Sequence, residues 1–102
     1  MRLIKPAALV AWAKQYPRAA PGLSHWYEVV RAARWANFAP TRRDFPHADQ
    51  VRVASLRPVT VFNVAGNHFR LITAIHYDAQ RVFLLDFLTH ADYDGGRWIE
   101  QL

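Results

Sequence analysis

Apolar positions in the first third of the chain recur at helical spacing. Leu9, Trp12, Ala13 and Tyr16 share one stripe after Pro6, whose missing N–H costs little in a first helical turn. Pro17 ends that run, and "PRAAPG" (17–22) reads as a turn. A second helix is expected from about Ser24 as its N-cap, with Trp26, Val29, Val30 and Ala33 on one stripe and Arg31 and Arg34 off it. The two stripes predict an antiparallel helical hairpin. "NFAPTRRDFPHADQ" (37–50) carries turn and cap residues, with room for one short helical turn begun by Thr41.

From Val51 the period changes to two. "VRVAS" reads as a short strand, and "PVTVFNV", "HFRLITAIHY" and "RVFLLDFLT" as better ones. The short connections "AGN" and "DAQ" predict antiparallel hairpins. The expected fold is therefore a single α+β domain over residues 1–102, a helical hairpin packed on a three- to four-stranded antiparallel sheet.

Alternation divides the third strand into two faces. Phe69, Leu71, Thr73, Ile75 and Tyr77 share one; His68, Arg70, Ile72, Ala74 and His76 share the other. A three-residue "DAQ" loop sets Tyr77 opposite Arg81, so that Phe83, Leu85 and Phe87 complete the apolar layer under the helices. A two-residue turn at Ala65-Gly66 pairs Phe62 with Phe69 and sends Asn63 to the polar face.

That polar face gathers Arg70, His68, His76, Asp86 and, just past the last strand, His90, with Leu84 and Leu88 as partial cover. A guanidinium cannot shed its charge, so Arg70 needs water, a carboxylate or an anionic ligand. The plain reading is a surface salt bridge with Asp86, a contact that contributes roughly 0–1 kcal/mol. Isolated strand histidines such as His68 and His76 are usually surface or packing residues. Thr89 or Asp92 could cap a terminal turn in "THADYD" (89–94), with Tyr93 folded onto the core. The sharper reading is that His90, Tyr93 and Arg70 converge at a sheet end, supplying proton transfer and phosphate stabilisation.

Composition narrows the classes. The 102 residues are 52% hydrophobic and 14% aromatic, which argues for a folded globule. Thirteen basic against eight acidic residues give +5, a balance that suits RNA or an acidic protein partner. Apolar runs fall short of a membrane span and the first residues lack a leader pattern, so a cytoplasmic protein is expected. Without cysteine there is no disulfide or thiolate zinc site, and the five histidines show no HxH or HxxxH spacing, so no metal or cofactor is expected.

Three stretches carry a resemblance: "WYEVVRAARWANFAPTRRDFPHADQV" (26–51), "VFNVAGNHFRLI" (61–72) and "THADYD". They are similar to the HigB-type toxins of bacterial type II toxin–antitoxin modules, in the RelE superfamily. Val64 replaces the family's usual Ile and Asp92 its commoner Glu. The resemblance implies an endoribonuclease that cuts translated mRNA on the ribosome, without a metal, by attack of a 2′-hydroxyl on the adjacent phosphorus. It implies restraint by a cognate helix-turn-helix antitoxin, through which operator DNA is contacted indirectly. On the matched positions, Arg70 would hold the phosphate, and His90 and Tyr93 would be the catalytic partners, with the proton acceptor left open. Asn63, Asn67 and His68 would position the RNA backbone. A gyrase poison of the same fold and a non-catalytic RNA-binding domain are the other classes. Gly95-Gly96 argues against a long terminal helix.

Overall fold

A computed structural model describes residues 1–102. The chain opens with strand β1 (Arg2–Ile4), followed by helix α1 (Ala7–Gln15), a 3₁₀ turn (Pro17–Ala19), α2 (Ala20–Ala32) and α3 (Phe38–Asp44). Strands β2 (Asp49–Arg52), β3 (Pro58–Val64), β4 (Phe69–His76) and β5 (Arg81–Thr89) come next, and α4 (His90–Gly95) and α5 (Arg97–Gln101) close the chain. The sheet has five strands in the order β1-β5-β4-β3-β2.

The α+β class holds, but the sheet is mixed rather than antiparallel. β1 runs parallel to β5, with Arg2 opposite Arg81 and Ile4 opposite Phe83. Three residues are too few to show a period, and β1 exists because the edge of β5 offers it a ladder. Nor do the first two helices form a bare hairpin. The "PRAAPG" stretch is helical, a 3₁₀ turn running into α2 with Pro near its first turn, so α2 starts at Ala20 and not at Ser24. In α3, Asn37 is the N-cap, its side-chain oxygen accepting from the Ala39 N–H at 3.0 Å, while Thr41 is buried inside the helix.

Helices α1–α3 cover one face of the sheet. Phe62 lies at its centre, with ring centroids of Trp26 at 5.5 Å, Trp35 at 6.4 Å and Phe45 at 5.0 Å. Beside it Phe69 stacks on Phe87 at 5.2 Å, and Trp12 and Tyr16 of the first helical segment close over the pair. These aromatic pairs add about 0.5–1.5 kcal/mol each beyond the area they bury.

The opposite face, expected to be polar, carries a second core. Val53, Val59, Val61, Ile72 and Trp98 are buried together, with Leu88, Tyr93, Ile99 and Leu102 packed against them. Gly96 makes this possible. At φ +77° it reverses the chain between α4 and α5, and α5 folds back to bury Trp98. The two glycines do forbid one long helix, and two short ones take its place.

Registers differ from expectation at both hairpins. The β3–β4 turn holds four residues, 65–68, so Phe62 faces Leu71 and Asn63 faces Arg70. A shift of two keeps every side chain on its face. The β4–β5 turn also holds four residues, 77–80, which slips the register by one and pairs Thr73 with Leu84 and Ala74 with Phe83. Leu84 therefore joins the helical core; Phe83 meets His76 at 4.9 Å and Leu85 turns to the second core. A β-bulge between Ile72 and Thr73 absorbs the slip, and beyond it Leu71 faces Phe87 and Arg70 faces Leu88 as expected.

Gly22 sits where α2 crosses the end of β3. A Cβ there would lie 2.9 Å from Val64 Cγ1 and 3.0 Å from the Ala65 backbone nitrogen. Gly22→Ala gains about 1 kcal/mol of helix propensity but forces helix and sheet apart, an overpacking cost of about 1–3 kcal/mol. The backbone atom cannot rotate away, so net destabilisation is expected in urea unfolding; a higher midpoint would contradict this crossing.

Candidate active site

The β3–β4 turn and the start of α4 meet at one end of the sheet. Ala65 and Gly66 take left-handed φ of +54° and +65°, closing the turn tightly. The His68 carbonyl then accepts the His90 N–H at 2.9 Å, tying α4 to the turn. Thr89 caps α4, its hydroxyl accepting from the Asp92 N–H at 3.2 Å. The capping reading of "THADYD" is thus correct, and it coexists with a convergent site.

Arg70 occupies the floor of this junction, 8% exposed. Its NH1 donates to the carbonyls of Asn67 (3.2 Å) and Phe69 (3.0 Å). Its NH2 donates to Asn67 Oδ1 at 2.6 Å and faces His90 Nδ1 at 3.1 Å. The guanidinium carbon sits 5.5 Å from the Tyr93 ring centroid. None of these partners is a carboxylate. Asp86 is opposite Ile72, not Arg70, and its carboxylate accepts from the Phe87 N–H at 2.8 Å. The expected Arg70–Asp86 salt bridge is absent, and none of the chain's three ion pairs includes Arg70.

Tyr93 holds Arg70 from the second core. Its ring stacks on Trp98 at 5.1 Å, and the Trp98 indole N–H donates to the Tyr93 carbonyl at 3.0 Å. Burial, then the Asp49 carboxylate, raises the Tyr93 hydroxyl above its ordinary pKa; Arg70 pulls the other way and Asp94 adds to the rise. The phenol therefore keeps its proton at neutral pH. It can donate a hydrogen bond and is unsuited to act as a base.

The remaining sequence candidates divide. Asn63 is half-buried on the strand beside Arg70. Asn67 is exposed, yet both its carbonyls support the guanidinium. His68 contributes its backbone to the junction while its side chain stays in solvent. His76, at the other end of β4, lies about 20 Å away along the strand at ~3.3 Å per residue. The largest surface depression, about 890 Å3, lies at that far end beside Arg57, His76 and Asp78 and holds none of the site residues.

Two contributors went unread in the sequence. Asp94 Oδ2 lies 3.0 Å from His90 Nε2, a pair spaced i, i+4. That spacing in "HADYD" was the available signal once Thr89 opened a helix. Trp98, beneath Tyr93, gave no signal, because its contact depends on the reversal at Gly96.

Comparison with known proteins bears on the same segment. Residues 19–96 match the family model HigB_toxin, the RelE-like toxic component of a toxin-antitoxin system. The chain belongs to this family. As a HigB-type toxin it is also 27% identical, over 94 residues, to the mRNA interferase toxin HigB of Escherichia coli K12, covering 92% of this chain and 88% of the relative. The mRNA interferase HigB of Shigella flexneri matches to the same extent. The family match spans all of the junction: the β3–β4 turn, Arg70, His90 and Tyr93.

The Tyr93 environment predicts an alkaline signature. A neutral phenol favoured by the fold stabilises it fully below the unfolded pKa near ~10, and that stability is lost as pH rises through the higher folded value. Tyr93→Phe, which keeps the ring on Arg70, should therefore lose less stability than the parent between about pH 9 and 11. Urea midpoints measure this; equal losses in both proteins would refute the assignment.

Proposed function

We propose that this HigB-type toxin, whose relatives are named mRNA interferases, is an mRNA endoribonuclease that acts on translated messages. The observation that carries the reading is Arg70: a nearly buried cation without a carboxylate, fixed by carbonyls and an aromatic face. A buried charge costs several kcal/mol to desolvate, and neutral partners return only part of it. Such a group is poorly explained as a stabilising contact and well explained as a seat for an anion. A planar fork of donors suits a phosphate.

In this proposal Arg70 holds the non-bridging oxygens of the scissile phosphate and stabilises the charge that grows there. His90 moves the proton of the attacking 2′-hydroxyl. The 2′-oxygen bonds to phosphorus, the bond to the 5′-oxygen breaks, and that oxygen takes a proton from water. The products are a 2′,3′-cyclic phosphate and a 5′-hydroxyl. Tyr93 keeps Arg70 in place and can donate from its protonated hydroxyl, while Asn63, Asn67 and His68 line the approach of the RNA backbone. One recessed cation gives little hold on RNA, which favours a ribosome that orients the message; positioning of this kind can supply several kcal/mol. The partners are then mRNA on the ribosome and a cognate antitoxin with a helix-turn-helix domain, which carries any contact with operator DNA.

Arg70→Ala should fold and lower cleavage of translated mRNA by about 10²–10³-fold, the usual loss for one such donor. Arg70→Lys should recover part of it, since an ammonium keeps charge and loses the fork. His90→Ala should show a comparable loss, and the double variant less than the product of the two. Mapping of 5′ ends and their chemistry in a translation reaction, with ribosome-free RNA in parallel, measures all of this. Full cleavage by folded Arg70→Ala, or 5′-phosphate ends, would overturn the reading.

A further inference from the structure

The heavy atoms around His90 fix its tautomer. Arg70 NH2, 3.1 Å from Nδ1, has only protons to offer, because a guanidinium carries no acceptor. Nδ1 must therefore present its lone pair. The ring proton then belongs on Nε2, and there Asp94 Oδ2 waits at 3.0 Å to accept it. The opposite tautomer would set donor against donor at Arg70 and a lone pair against a carboxylate at Asp94. Both contacts select the same state.

The backbone brings the two side chains to one side of α4. Thr89 starts α4 one residue before His90, and the His68 carbonyl anchors the His90 N–H. One helical turn later Asp94 falls on the same side as His90. His90 is thus held at three points: its backbone N–H by the β3–β4 turn, ring Nδ1 by Arg70, and ring Nε2 by Asp94.

We propose that Asp94 is a positioning residue that holds His90 as the Nε2–H tautomer, so that Nδ1 is the base that deprotonates the 2′-hydroxyl. This rests on the ribonuclease reading of the site and deepens it. As the scissile phosphate engages Arg70, it replaces His90 Nδ1 as the acceptor for NH2. The freed Nδ1 lone pair then lies beside the phosphate, where the 2′-hydroxyl must approach. Nδ1 takes the hydroxyl proton, the 2′-oxygen attacks phosphorus, and the displaced 5′-oxygen is protonated by water. The imidazolium that results has its Nε2–H already directed at the Asp94 carboxylate, and it returns its Nδ1 proton to solvent after the product leaves. The logic is that of a catalytic histidine held in its reactive tautomer by a carboxylate. The competing view is a solvated i, i+4 pair, since both side chains are about half exposed. A solvated pair would leave the turnover rate alone.

The test joins spectroscopy to kinetics. Nitrogen-15 correlation spectra of the intact protein, at a pH where the ring is neutral, should show His90 as Nε2–H. In Asp94→Ala the two tautomers should mix. Turnover of ribosome-held mRNA should fall by about tenfold or more, a fraction of the roughly 10²–10⁴-fold that general acid–base catalysis contributes. Half-saturating substrate should stay within about twofold, because only proton transfer is impaired. Asp94→Asn, which retains an acceptor oxygen, should fall between. An Nδ1–H ring in the parent overturns the proposal even where Asp94→Ala does not fold. So does a parental turnover rate in folded Asp94→Ala, or a loss confined to binding. A parent that shows the Nε2–H ring but cuts no message counts instead against the ribonuclease reading.

Discussion

The arrangement turns on a cation kept out of water without a counter-ion. Arg70 is nearly buried, and its four close partners are two backbone carbonyls, an amide oxygen and an imidazole nitrogen. A carboxylate would have neutralised it at less cost. Asp86, two residues along the neighbouring strand from Arg70's cross-strand partner Leu88, turns its carboxylate to the Phe87 N–H instead. What remains is a nearly buried positive charge, and an incoming anion gains most from meeting a charge kept out of water.

Two cores are needed to hold that charge. The larger, under α1–α3, fixes β3 and β4 and hence the turn that supplies Asn67 and the strand start that supplies Phe69. The smaller one, on the other face, is built around Trp98 and carries Tyr93 up against the guanidinium. The site is therefore a junction between a strand end, a turn and a short helix, with rigid apolar packing below each. The left-handed residues Ala65, Gly66 and Gly96 mark where the chain bends to make the junction.

Much of this was legible in the sequence, for physical reasons. Period-two alternation assigned Phe69, Leu71 and Phe87 to the core and Arg70 to the other face, and the structure agrees. Part of that success was compensation: the β4–β5 turn is one residue longer than expected, and the bulge at Ile72/Thr73 restores the register before it reaches Arg70. Where no compensation operated, at Phe83 and Leu85, the facing was wrong. β1 was invisible because its pairing is wholly non-local. The second core was missed because Tyr93 and Trp98 lie on two short helices joined by a glycine reversal, which no periodicity reports. For the same reason the polar face seemed more open than it is. Convergence of Arg70, His90 and Tyr93 was legible, but the nature of their contact was not: a salt bridge was the plain expectation for Arg70, and an imidazole with a carboxylate behind it was found.

In the proposed mechanism Arg70 meets the charge of one particular phosphate. The direct measurement is a binding cycle on ribosome-held mRNA, blocked from cleavage by 2′-O-methylation at the attacking nucleotide. In it the scissile phosphate is replaced by a neutral methylphosphonate. Removing a charge-assisted contact of about 1.5–3 kcal/mol should weaken parent binding by roughly 10- to 150-fold, and should leave Arg70→Ala binding unchanged. Equal weakening of both proteins would show that the phosphate is held by something other than Arg70.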